Sequence, residues 1–136
     1  MTPLGQELRL WHGKAGSPSW NMAADELLLK HSAAFGQAML RFYLWDQPSA
    51  SFGYFQRYTE VVSLTGLRPL IRRPTGGGLV LHDEAEWTYS LTFPPTHPWW
   101  QLKAEESYRC VHEWVRHAFE GCGVAVELCP ETRAAG

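Results

Sequence analysis

Residues 70–83 read Leu-Ile-Arg-Arg-Pro-Thr-Gly-Gly-Gly-Leu-Val-Leu-His-Asp and gather the side chains best suited to chemistry. Arg72 and Arg73 offer planar guanidinium forks that suit a carboxylate or a phosphate. Gly76, Gly77 and Gly78 lack a Cβ, so another molecule can lie against their backbone with the amides aimed at it. His82 and Asp83 close the stretch. On a strand they point to opposite faces, so only one of them can face a pocket on the glycine side. The competing reading is a plain hairpin turn with solvated arginines, since Gly-Gly is a common hairpin connection. Gly53, inside another apolar run, marks a bulge or the close approach of a ligand. Phe52 and Tyr54 bracket it and suit the wall of an apolar pocket.

Other chemistries fail on spacing. His112-Glu113-Trp114-Val115-Arg116-His117 looks like a zinc-protease helix, but that chemistry needs histidines four residues apart on one face. Here the separation is five, which at about 100° per residue swings the second imidazole well round the helix. No lysine followed by Ser or Thr stands after the glycines, so a phosphate-binding P-loop is excluded, and the Rossmann glycine pattern is absent. Ser51, His82 and Asp83 make no defensible Ser/His/Asp set, because adjacent His and Asp on a strand diverge. Cys110, Cys122 and Cys129 are odd in number and form no Cys-x-x-Cys, which argues against a disulfide framework or zinc knuckle.

The elements that must position these residues follow from periodicity and turn signals. A short strand is expected over residues 7–11. Ser17-Pro18 is a helix start, and Trp20, Ala23, Ala24, Leu27, Leu28, His31 and Phe35 recur at helical spacing up to a stop at Gly36. Residues 39–45 alternate as a strand, and Asp46-Gln47-Pro48 turns the chain into a second strand over 49–56. A short helix is expected over 59–67, then the glycine hairpin. Residues 86–93 alternate without a break and form the clearest strand. A second amphipathic helix is expected over 99–119, stopped by Gly121 and Gly123, with one more strand over 124–128. The fold class is therefore α+β: a mixed, largely antiparallel sheet covered by two amphipathic helices. A helix and a strand followed by nothing leave the last strand poorly supported. One domain over 1–136, incomplete at its C-terminal side, is the expectation.

Composition sets the bounds. A chain of 136 residues, 45% apolar with seven tryptophans, reads as about one packed domain. A formal charge of −2 gives no electrostatic reason to expect nucleic acid. No apolar run reaches the roughly 18 residues of a membrane span, and no signal peptide is evident. Cytoplasmic residence and no membrane partner are the default expectations.

Taken together, Arg72-Arg73-x-x-Gly76-Gly77-Gly78-x-Val80-x-His82-Asp83 resembles the signature of lipoate–protein ligases and their octanoyltransferase relatives, which share the biotin/lipoate attachment fold. Three further stretches agree in order. Asn21-Met22-Ala23-Ala24-Asp25-Glu26 resembles the family's first helix, Leu40-Arg41-Phe42-Tyr43 through Phe52-Gly53-Tyr54-Phe55-Gln56 its next two strands, and Glu106-Ser107-Tyr108 the start of a later helix. The resemblance spans residues 20–128. It implies attachment of lipoate or octanoate to a lysine of a carrier domain. A ligase would proceed through an acyl-adenylate with ATP and Mg²⁺, and a transferase would take the acyl group from another carrier or a thioester. The implied substrate-binding residues are Asp25, Gly53, Arg72, Arg73, Thr75, Gly76, Gly77, Gly78, His82 and Asp83. The implied partner is the lipoyl domain of a 2-oxoacid dehydrogenase or the glycine cleavage H protein. The family's lysine segment, of Gly-Lys-Lys-Ile-Gly-Ser type, has no match here, and Cys129 lacks an activating context. The chain thus reads as the acyl-binding half, with no catalytic residue of its own. The alternatives are a non-catalytic acyl-binding chain or one subunit of a split enzyme with a C-terminal partner, and a biotin–protein ligase relative.

Overall fold

Ser17 caps the first helix as its type requires. In the computed structural model, which describes residues 7–129, Ser17 Oγ accepts from Trp20 N at 3.2 Å and Pro18 opens α1 (Pro18–Lys30). His31 interrupts the helix. One further turn, α2 (Ser32–Phe35), ends at Gly36 with φ 66°, a left-handed stop that favours glycine. The remaining elements up to residue 97 are β1 (Leu8–Gly16), β2 (Ala38–Trp45), β3 (Ser49–Phe52), α3 (Tyr58–Val61), β4 (Leu70–Arg72), β5 (Val80–His82) and β6 (Thr88–Thr92). The described residues fall into two compact units, divided after His97.

In the first unit the strands form two three-stranded mixed sheets, β1-β2-β6 and β4-β3-β5. Each central strand has one parallel and one antiparallel neighbour. The register sets Arg41 opposite Ser90 and Phe42 opposite Tyr89. Because side chains alternate, Arg41, Tyr43 and Trp45 share one face of β2. That face receives α1. The Asp25 carboxylate accepts from Arg41 Nη1 at 2.7 Å, Tyr43 Oη at 2.8 Å and Ser90 Oγ at 2.7 Å. Arg41 also donates to Asn21 O and Asn21 Oδ1, and its guanidinium lies 3.8 Å over the Tyr43 ring. Arg41 is only 1% exposed; such a charge is tolerated because it is paired and hydrogen-bonded. Burial, then the Asp25 carboxylate, pushes the Tyr43 phenol well above its ordinary value. Met22, Tyr43 and Trp45 pack with Ile71 of β4, tying the two sheets into one core.

The second unit holds a 3₁₀ turn (Pro98–Gln101) and the long helix α4 (Ala104–Gly121). Lys103 N donates to Glu106 Oε2 at its start. Arg116 pairs with Glu113 and Glu120 on its surface.

The α+β class and the two main helices stand as expected, and several boundaries and pairings do not. β4 and β5 are not a hairpin: each pairs with β3, on opposite sides. The sheet is two sheets, with parallel pairs as numerous as antiparallel ones. Residues 124–129, expected to hold a strand, pair with no strand among the described residues. β3 stops at Phe52 rather than 56, where Gly53 meets the glycine loop, and helix over 59–67 shrinks to the single turn α3. β1 runs on to Gly16 because its parallel register with β2 continues to Trp45. The inward face of α1 is Asn21, Met22, Ala24, Asp25 and Leu28, while Trp20, Ala23 and Leu27 of the expected stripe lie exposed.

Candidate functional site

With β3 between β4 and β5, residues 73–79 must cross the end of β3. Arg73 N donates to Phe52 O at 2.8 Å and Tyr54 N to Thr75 O at 2.9 Å, which fasten the crossing to the strand end. Gly53 is the seat. A Cβ there would stand 2.0 Å from Gly77 O, so only glycine allows the approach. Gly77 has φ 96°, the left-handed side that glycine tolerates.

Arg73 shapes the loop from within. Its Nη1 donates to Ser51 O and Ser51 Oγ, both at 3.0 Å, and its Nη2 donates to Gly76 O at 3.0 Å and Gly78 O at 2.7 Å. In a trans peptide the carbonyl and the next amide point opposite ways. The N–H groups of Gly77 and Leu79 are therefore turned away from Arg73, and that of Gly78 away from Gly53. Among the described residues, no acceptor takes the amides of Gly76, Gly77 or Gly78. The loop thus keeps unpartnered donors, with those of Gly77 and Leu79 on the side away from the guanidinium. Such a run of unpartnered amides suits an anion or a polarised carbonyl.

Arg72 occupies the rim. It donates to Tyr54 O at 2.6 Å and Gln56 O at 2.7 Å and lies 4.7 Å over the Phe52 ring. Beside it Phe55 is 87% exposed, edge-on to Tyr54. Thr75 is exposed, and its carbonyl rather than its hydroxyl holds the strand end.

His82 points inward and Asp83 outward, as strand alternation demands. Asp83 Oδ1 accepts from Ala85 N at 2.8 Å and so forms the turn after β5. The His82 ring is buried beneath Trp45, stacked at 3.9 Å between centroids. Its Nε2 lies 2.7 Å from Ser51 Oγ, and its Nδ1 lies 2.9 Å and 3.0 Å from the two Glu86 oxygens. Thr88 Oγ1 donates to Glu86 Oε1 and accepts from Trp45 Nε1. Of the residues singled out from sequence, the structure gathers Gly53, Arg72, Arg73, Thr75, Gly76, Gly77, Gly78 and His82 around the end of β3. Asp25 stands instead in the joint between α1 and the first sheet. Ser51 as a partner of His82, and Glu86, were not foreseen. Ser51 shares the His82 face only through the β3–β5 register, and Glu86 reaches back across a turn that has no local period.

Among the described residues, no three His, Cys, Asp or Glu side chains are grouped so as to hold a metal ion. The described cysteines are free thiols, and no described helix is long and apolar enough to cross a membrane.

Comparison with known proteins gives a consistent picture. Residues 17–133 match the lipoyl protein ligase A/B catalytic domain. An octanoyltransferase LipM of Brevibacillus brevis is 36% identical over 85% of this chain and 43% of its own length. That of Kyrpidia tusciae is 42% identical over 79% of this chain and 41% of its own. The chain therefore spans about two fifths of the length of these curated relatives. Lipoate-protein ligase A bound with ATP superposes with a TM-score of 0.66 at 23% identity, over 92% of this chain and 52% of that one. A bi-partite lipoate protein ligase from Thermoplasma acidophilum, solved with its E2 lipoyl domain, gives 0.67 at 22% identity, over 93% and 49%. These two likenesses concern the fold. The match over most of its length shows that the chain belongs to the lipoyl protein ligase A/B catalytic domain family.

Proposed function

We propose that this chain forms the acyl-binding part of an octanoyltransferase, which moves an octanoyl group onto a lysine of a lipoyl carrier domain. The observation that carries the reading is the glycine loop, whose amides face outward while Arg73 holds its carbonyls. An eight-carbon acyl chain needs an apolar slot with polar donors at one end, and each buried CH₂ is worth about 0.8 kcal/mol. The loop backbone at Gly76–Gly78 lies along the ligand, and its amides meet the acyl carbonyl or carboxylate. Arg72 and Arg73 supply positive potential behind them. Transfer is preferred over ligation because the LipM relatives are the more similar in sequence. The reacting lysine or cysteine comes from outside residues 1–136, and these residues form part of one catalytic domain with it. The accepting carrier is the lipoyl domain of a 2-oxoacid dehydrogenase or the glycine cleavage H protein, in the cytoplasm.

The bi-partite ligase among the fold relatives favours one second reading: a ligase completed by a partner chain, using lipoate or octanoate with ATP and Mg²⁺. The test compares two acyl donors with the intact protein and an isolated lipoyl domain. Transfer from an octanoyl thioester carrier without ATP supports the transferase. Acylation only from free acid with Mg·ATP supports the ligase, and biotinylation in place of either would sink both.

A further inference from the structure

Ser51 Oγ, His82 and Glu86 stand in the order nucleophile, base and acid, at 2.7 Å and 2.9 Å. A nucleophilic serine is nevertheless a poor reading. Ser51 is 0% exposed, Arg73 donates to its hydroxyl, and the loop that Arg73 holds turns its amides away from that side. An acyl group on the amides and Ser51 Oγ lie on opposite sides of the guanidinium.

The hydrogen-bond directions define what the set does instead. Arg73 only donates, so Ser51 Oγ accepts from it and must give its own proton to His82 Nε2. His82 Nε2 is then unprotonated, and Nδ1 carries the proton that Glu86 accepts. A proton on Nε2 would leave two donors on one hydroxyl oxygen and the serine proton without an acceptor. It would also set a bare Nδ1 against a carboxylate. The charged groups facing this ring are Glu86 directly and Arg73 through Ser51. Trp45 covers one face, and Asp83 turns outward. The chain Glu86–His82–Ser51–Arg73 ends on Gly76 O and Gly78 O, the two carbonyls whose orientation fixes the outward amides.

We propose that Ser51 and Glu86 are positioning residues for the acyl site: through His82, protonated on Nδ1, they hold Arg73 and so set the direction of the glycine-loop amides, an assignment that rests on the acyl reading of that loop. Neither residue touches the ligand.

The test uses the intact ¹⁵N-labelled protein that contains this chain. The measurements are the His82 tautomer and the Gly77 and Leu79 amide resonances by NMR, with octanoate binding by calorimetry. The wild type should carry the His82 proton on Nδ1. Glu86→Ala, with the Ser51 proton still directed at Nε2, should keep the proton on Nδ1 but release the ring, shift the Gly77 and Leu79 resonances and weaken octanoate binding about tenfold, as expected for a lost hydrogen bond to a charged group. Glu86→Gln, which keeps an acceptor, should restore the resonances and the binding. Should Glu86→Ala fail to fold, Ser51→Ala serves, with shifted loop resonances and the Nδ1 proton retained. A wild-type proton on Nε2, or loop resonances unmoved in the variants, overturns the proposal. Loop resonances that respond while the wild type binds no octanoate support the positioning chain and overturn the acyl reading alone.

Discussion

Gly53 and Gly77 touch where a Cβ would have to displace a backbone oxygen, not a flexible side chain. Gly53→Ala should therefore destabilise the protein by about 1–3 kcal/mol, the usual cost of overpacking. Gly78 has no atom within 4 Å of its Cβ position, so Gly78→Ala should change stability by no more than about 0.5 kcal/mol. Denaturant melts of the two variants check this, and equal tolerance would mean that the loop does not sit on β3. The neighbouring arginines divide in the same way. Arg73→Ala strips donors from Ser51, Gly76 and Gly78 and should cost about 1.5–3 kcal/mol. Arg72→Ala, at the exposed rim, should cost about 1 kcal/mol or less. Comparable losses in the two melts would contradict the placement of Arg73 inside the loop. In the sequence, the glycines and arginines were visible as types and the His82/Asp83 divergence as alternation. The seat at Gly53 was visible only as a glycine in a strand, because the contact that explains it spans the sheet.

At the level of elements, α1 is joined to the first sheet through a carboxylate. Asp25→Ala would leave Arg41 buried and unpaired, which should cost about 3–5 kcal/mol. Asp25→Asn should cost less, since the amide oxygen can still accept. Thermal melts of both variants distinguish this joint from a ligand contact, whose loss would reduce binding and leave stability unchanged. Ser17 and Pro18 made the start of α1 legible, but its inward face was not. Asn21 and Asp25 point inward as polar residues, and apolar periodicity cannot count them. The glycine segment shows the same limit. Two apolar runs around Gly-Gly-Gly have the local signature of a hairpin, and nothing local reveals that β3 comes between them. The run 124–128 has strand-like residues but no ladder partner among those described, and propensity alone does not make a strand.

At the scale of the whole molecule, one buried imidazole links stability to acidity. His97 is 3% exposed and stacked on Phe93 at 4.6 Å, and burial holds its pKa below the ordinary histidine value. The folded state keeps it neutral while the unfolded chain takes up a proton, so its contribution is present above about pH 6.5 and is lost as the pH falls below that. Melting temperatures at pH 7.5 and 5.5 should show a fall that His97→Phe reduces; an unchanged fall in the variant would contradict this origin. The family itself was legible because its signature is a contiguous run of glycines and arginines. The support that Ser51 and Glu86 give His82 was not, because it is assembled by strand register and across a turn with no local period.

Calorimetric titration of octanoate into the intact protein reads out whether the glycine loop holds the acyl ligand. Gly77 has φ 96°, and a Cβ there would stand 3.2 Å from Arg73 Nη2. Gly77→Val should therefore abolish binding by backbone strain and by pushing Arg73 off the carbonyls that orient the amides, in a protein that still folds. Unchanged octanoate affinity in a folded Gly77→Val variant would contradict the acyl reading and return the loop to a structural role.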